Sequence, residues 1–282
     1  MWRINREAVL LGAGPTALLL QLAHPLVAEG VAAHSDFEAD PAGRLRRTLR
    51  TTLAMVFGDG PAAEAAVRRL NGVHATVRGE VADPEARLVA ERYRALDPAL
   101  LLWVQATLIW TSVQAYERWV GPLSPEDREA FWGEARQVGA RLGIPLDQSP
   151  TDWTAFEAYM DRMLGPTGPI RVTVVGRRLG RLVVHSPVPF LPAPLAALMT
   201  LPAVALLPAP IRAGYGLPWG AGHARLARGL DRTIRLWVSL MPRAWRAMPQ
   251  ARAADARAAA ARAGHATRYD RGPHPRREAG RA

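Results

Sequence analysis

D-P-A-G-R-L-R-R-T-L-R-T-T-L-A-M-V-F-G-D-G-P-A-A-E-A-A-V-R-R-L-N-G-V-H-A-T-V-R, from Asp40 to Arg78, writes two helices with their start and stop signals. Asp40 can cap the first, and Pro41 can take its first helical position, where no N–H is needed. Gly58 closes it. Asp59-Gly60-Pro61 reopens the chain into a second helix, which Gly79 ends. Arg44, Arg47, Thr48 and Thr51 recur at helical spacing, so one face of the first helix is cationic and hydroxylic. Asn71, His74 and Arg78 share a face of the second, and Val67, Leu70, Val73 and Val77 surround the histidine. Read plainly, this is a solvated arginine face and a satisfied core histidine. A neutral imidazole among apolar side chains, with cations near, is also what an iron porphyrin needs.

The same devices recur outward from the hairpin. Upstream, a short helix spans about Glu7 to Leu11, and Pro15 starts another reaching about His34, with Pro25 as a kink or break. Downstream, Asp83-Pro84-Glu85 predicts a short helix to about Ala95. Asp97-Pro98 opens a long helix to about Val120 that is apolar nearly all round, hence central. Ser124-Pro125-Glu126-Asp127 is a capping box leading to about Leu142. Ser149-Pro150 starts a helix to about Leu164. Pro169 to Val184 fits either strand or helix. Helices follow from about Ala221 to Leu240 and from Pro242 to about Met248. Ala251 to Ala263 is helix-prone without an apolar face, so it predicts an exposed helix, with disorder from Gly264 onward. No repeat and no alternating strands emerge. The expected class is all-α, as one multi-helix domain over residues 1–250 and an Ala/Arg-rich tail over 251–282.

The chain has 282 residues and no cysteine, which excludes disulfides, thiolate-ligated or covalently attached haem, iron–sulfur clusters and cysteine zinc sites. The net charge is +11, and every basic residue counted is arginine, as a GC-rich genome would favour. Ten arginines and three acids follow from Arg243 onward, so the tail carries most of the excess. No aromatic-interleaved basic motif accompanies it, and nucleic acid is not an expected partner. Ala8 to Ala28 carries no charge and is long enough to span a bilayer. Gly12, Gly14-Pro15, Gln21 and His24-Pro25 interrupt it, so a buried helix pair is preferred over a membrane span or signal peptide. The uncharged run from Leu182 to Ile211 is cut by seven prolines. It reads as a core cover, or as a surface against a membrane or channel mouth. P-loop, G-x-S-x-G, G-x-G-x-x-G and H-E-x-x-H motifs are absent. His24, Glu29, His34, Asp36 and Glu38 offer a second, weak metal set whose spacing matches no zinc signature.

L-L-L-Q-L-A-H-P-L-V-A-E-G-V-A-A-H-S (Leu18–Ser35), D-P-A-G-R-L-R-R-T (Asp40–Thr48), V-H-A-T-V-R-G (Val73–Gly79) and D-P-A-L-L-L-W-V-Q-A-T-L (Asp97–Leu108) occur in that order. Together they resemble the MpaB-type oxygenase family, which includes the latex-clearing rubber oxygenases. L-P-A-P-I-R-A-G-Y-G-L-P-W (Leu207–Trp219) fits the family's C-terminal half. The resemblance covers roughly residues 5 to 250. It implies an all-α, globin-like core holding a b-type haem, with His74 of the H-x-x-V-x-G motif as the proximal iron ligand. Arg44, Arg47 and Thr48 match the family's distal R-x-x-K/R-T motif, and Arg78 matches an arginine one turn past the ligand. Asn71 stands where studied rubber oxygenases carry arginine, Arg47 where they carry lysine, and Gln105 where many members carry histidine. The catalytic glutamate falls near Ala28 or Glu29. Arginine stays protonated and is a poor iron ligand, so the resemblance supports haem binding more strongly than rubber-type cleavage.

The expected function is a haem-b oxygenase acting with O2 on an apolar, terpenoid, polyisoprenoid or lipid-like substrate. The alternatives are a haem protein without oxygenase turnover and a haem-free peripheral membrane protein. The expected location is cytoplasmic, with membrane association open.

Overall fold

The computed structural model describes residues 1–36, 40–185 and 193–269; Glu38, the proline-rich stretch 186–192 and the tail 270–282 lie outside them. The described chain forms fifteen α-helices and one two-stranded ribbon, and so is all-α.

α1 (Trp2–Asn5) leads through a 3₁₀ turn (Ala8–Ala13) into α2 (Gly14–Leu22) and α3 (Pro25–His34). Pro25 breaks the run outright, and the two segments meet at 105°. His24 caps the new helix, its Nδ1 accepting from the Leu26 amide at 3.2 Å. Leu19, Leu20, Leu22 and Ala28 are fully enclosed, so the uncharged N-terminal run forms a bent, buried pair. No single helix among the described residues is long and apolar enough to cross a membrane.

α4 (Pro41–Phe57) and α5 (Gly60–Thr76) form the hairpin, with both predicted caps in place. Asp40 accepts from Gly43 N at 2.8 Å, and Asp59 accepts from Ala62 N at 2.9 Å. α5 stops at Thr76, and β1 (Arg78–Glu80) begins two residues on. The helix expected from Asp83 to Ala95 is largely absent. Only α6 (Pro84–Arg87) is helical, and β2 (Arg92–Arg94) pairs antiparallel with β1. Tyr93 explains the change: it is buried between exposed Arg92 and Arg94, the alternation of a strand, and its hydroxyl lies 3.1 Å from Nε2 of His34.

α7 (Pro98–Trp119) is the central helix. Trp103, Ile109 and Val113 on it pack into one core with Trp132 of α8 (Pro125–Leu142) and Phe156 of α9 (Trp153–Leu164). Ser124 and Asp127 form the predicted capping box. The ambiguous stretch is helical: in α10 (Val174–His185), Leu179 is buried while Arg177, Arg178 and Arg181 are exposed. α11 (Ala193–Leu206), α12 (Ala209–Gly214) and α13 (Ala221–Leu240) follow, then α14 (Arg243–Arg246) and α15 (Pro249–Tyr269). Two polar ties hold this half down. Asp231 on α13 accepts from Nε of Arg118 at 2.7 Å and from the Trp119 indole at 2.8 Å. Glu7 accepts a two-pronged contact from Arg246 at 2.9 and 3.0 Å. α15 is not simply exposed, because Ala251 and Ala254 are buried against Phe57 and Met248.

Candidate functional site

The hairpin rests on its surroundings at its edges. α1 touches both α4 and α7, α8 touches both α5 and α7, and α15 covers part of α4, while direct contact between the hairpin and α7 is at most marginal. The inward face of α5 is therefore incompletely covered: Val67, Leu70, Asn71, His74 and Val77 are all half-buried. On α4, Thr51 to Val56 are half-buried too. Along α7, Val104 and Ser112 are half-buried and Leu108, between them at helical spacing, is 38% exposed.

His74 is the focus of this region. Its Nδ1 is buried and has no hydrogen-bond partner among the described residues, and Oδ1 of Asn71, one turn earlier on the same face, is in the same state. The Asn71 amide nitrogen donates to the Arg141 carbonyl at 3.3 Å, which ties α5 to the end of α8. Buried polar atoms are nearly always satisfied, so these two neighbouring atoms are open to a partner from outside the chain, water or ligand. Burial lowers the His74 pKa from its ordinary value, keeping the imidazole neutral with a lone pair available.

Both helices of the hairpin are 17 residues long and meet at a tight turn, so Arg44 stands at about the height of His74. Arg44 is half-buried; burial, and then the neighbouring charge of Arg47, lower its pKa. The guanidinium still stays cationic. Arg47 and Thr48 are exposed, and Arg47 lies 3.4 Å from Asp40 and 4.0 Å from Asp36. Arg78, expected on the His74 face of the helix, lies past its end on β1, exposed and opposite Arg94. The structure thus brings His74, Asn71 and Arg44 into half-buried positions on the hairpin, and leaves Arg47, Thr48 and Arg78 at its rim.

Glu29 is buried on α3, and its carboxylate accepts from the amides of Ala82 at 3.0 Å and Asp83 at 3.3 Å. Those bonds hold the turn after β1. The second metal set does not assemble among the described residues, where no three His, Asp or Glu side chains gather. His24 caps α3, His34 meets Tyr93, Asp36 faces Arg47, and Glu38 lies outside the described residues. Gln105 points at α8, where its amide donates to the Ala135 carbonyl at 2.7 Å. Gly139 is the residue that admits it, since a Cβ there would sit 2.5 Å from the Gln105 oxygen. The exposure of Leu108 on α7 was missed by the sequence reading; Leu108 is indistinguishable in sequence from its buried neighbours.

The residues present fit a b-type haem. A lone imidazole can anchor iron only if further donors arrive with the metal, as a porphyrin's nitrogens do, and His74 is neutral, unpartnered and flanked by apolar, half-covered surface.

Residues 1–236 match the family described as ER-bound oxygenase mpaB/B'/rubber oxygenase, catalytic domain. The chain is 30% identical over 208 residues to uncharacterized protein Rv2237 of Mycobacterium tuberculosis, covering 71% of this chain and 76% of that protein. Uncharacterized protein Mb2261 of Mycobacterium bovis matches to the same extent. No solved structure matches the chain.

Proposed function

Since the chain belongs to the family of ER-bound oxygenase mpaB/B' and rubber oxygenase catalytic domains, we propose that it is a haem-b oxygenase acting with O2 on an apolar small molecule. The observation that carries this is the unpartnered, buried Nδ1 of His74 on an incompletely covered apolar face. Bound haem would supply the redox-active iron at which O2 reacts. His74 would hold it by a neutral ring nitrogen. Asn71 would offer its unpaired oxygen to a donor in the same space. Arg44, half-buried and cationic at the same height, would donate hydrogen bonds to an anionic or oxygen-bearing group. Arg47, Thr48 and Arg78 would act at the rim, where arginines suit carboxylates such as haem propionates. Val104 and Leu108 would wall an apolar substrate and exclude water.

Expression with a haem precursor should yield a protein with a Soret band, and His74→Ala should lose most of it while keeping its far-ultraviolet dichroism. A His74→Ala protein with a full Soret band and unchanged ligation would overturn the assignment.

A second reading, haem binding without oxygenase turnover, is favoured by one observation. Both oxygens of Glu29 are engaged by backbone amides, so this carboxylate is committed to the 82–83 turn. Oxygen uptake by the haem-loaded protein with terpenoid or polyisoprenoid substrates separates the two: turnover supports the oxygenase, and its absence across the class supports the carrier or sensor.

A further inference from the structure

α13 presents a surface that the chemistry at His74 does not use. Its inward residues, Ala227, Asp231 and Val238, are buried, and the helix packs against α7 and α11. Its outward side chains segregate into two flanks at helical spacing. Leu226, Thr233, Leu236, Trp237 and Leu240 fall on one; Arg225, Arg228, Arg232 and Arg235 fall on the other. The apolar flank is open: Leu236 is 58%, Trp237 64% and Leu240 73% exposed, and Trp245, just past the helix, is 77% exposed. Soluble surfaces scatter such residues singly, whereas a contiguous strip marks an interaction surface.

The cationic flank is built as well. Arg228, Arg232 and Arg235 join Arg118 of α7 around a cleft of about 240 Å³. The carboxylate lining it, Asp231, is already engaged by Arg118 and Trp119. Among the described residues no ion pair neutralises Arg225, Arg228, Arg232 or Arg235. The cleft therefore offers unpaired guanidinium groups to an anion, directly beside an exposed aromatic and aliphatic strip.

We propose that this face of α13 docks the protein onto an anionic phospholipid surface. Trp237, Leu240 and Trp245 enter the boundary between headgroups and acyl chains, and the arginine cleft takes headgroup phosphates. Indole rings favour that boundary because one part is apolar and the N–H needs a partner. Guanidinium forks match phosphate oxygens in pairs. The net charge of +11 draws the whole protein toward such a surface. A second copy of the chain is a poorer occupant, because a two-fold contact through this face would set one arginine row against another. The proposal stands or falls independently of haem binding at His74.

Co-sedimentation of the full chain with vesicles of phosphatidylcholine, with and without phosphatidylglycerol, tests it at physiological salt. Wild type should bind the anionic vesicles at least about tenfold more tightly than the neutral ones. The triple variants Trp237→Ser/Leu240→Ser/Trp245→Ser and Arg228→Gln/Arg232→Gln/Arg235→Gln should each weaken that binding by about tenfold or more. Both leave the tail from Arg252 onward intact, so binding carried by the tail would survive them and overturn the proposal. If a triple variant fails to fold, the conservative pair Trp237→Phe and Trp245→Phe replaces it. The vesicle-induced blue shift of indole fluorescence should then be lost with these rings, and a shift that persists overturns the proposal. Release by millimolar glycerophosphate would reassign the cleft to a soluble phosphate. A wild-type dimer that the apolar triple variant makes monomeric would reassign the strip to a second copy.

Discussion

His24 and His74 are both desolvated, with different consequences. His24, buried beside Trp103 and capping α3, has its pKa lowered by burial from 6.5 to about 4, against the weaker opposite pull of Asp97. As pH falls below 6.5, the unfolded chain takes up the proton first, so stability is lost until the folded value is reached and is level below it. The full loss amounts to about 3 kcal/mol. His24→Asn keeps an acceptor for the Leu26 amide but cannot titrate. Denaturant unfolding at pH 7 and pH 4 should therefore show a smaller acid loss in the variant, by about that amount. His74 is lowered in the same direction, and its expected consequence is chemical: once it is protonated it has no lone pair to give. Acid titration of the haem-loaded protein should bleach the Soret band, with a midpoint below the ordinary imidazole value. The histidine itself was legible through the motif that contains it. Its orphaned Nδ1, the matching Asn71 oxygen, and the outward posture of Arg47 were not, because they depend on where α1 and α8 prop the hairpin.

Helix starts were legible at most sites where a short polar side chain precedes proline, but Ser149-Pro150 starts none: α9 begins at Trp153 with Asp152 as its cap. Asp40, Asp97 and Ser124 each start a helix at the predicted place, since their oxygens meet otherwise unpaired amides. At Asp83 the cap also forms, but the helix lasts one turn instead of reaching Ala95. Tyr93 is drawn into alternation by its contact with His34, a partner 59 residues away that no local pattern encodes. The arginines between Pro169 and Val184 left strand and helix equally plausible until the buried position of Leu179 selected the helical period. α15 shows the opposite error. Alanine was read as offering no face, yet Ala251 and Ala254 are buried with Phe57 and Met248. Ala254→Glu should therefore destabilise the protein by about 2 kcal/mol, while Ala253→Glu, on the exposed side of the same helix, should stay within about 0.5 kcal/mol. Thermal unfolding of the two variants side by side tests whether the helix is docked.

Across the whole molecule, the first and last stretches of the described residues hold each other. Glu7 and Arg246 pair through two hydrogen bonds, Arg6 reaches Asp255, the Met248 amide donates to the Arg6 carbonyl, and Arg257 donates to the Phe57 carbonyl. Removing one partner of a largely buried pair strands the other charge. Glu7→Ala should cost roughly 3 kcal/mol, and Glu7→Gln less, since an amide still accepts from Arg246. Equilibrium unfolding in urea should rank them in that order. The clasp also sets a timetable for biosynthesis. On the ribosome, Glu7 waits for a partner 239 residues downstream, and Phe57 stays uncovered until α15 has emerged. The hairpin bearing His74 is translated well before α15, its outer support. A ligand captured during translation would meet a hairpin still free to open, and the same hairpin would stiffen once the clasp closes behind it.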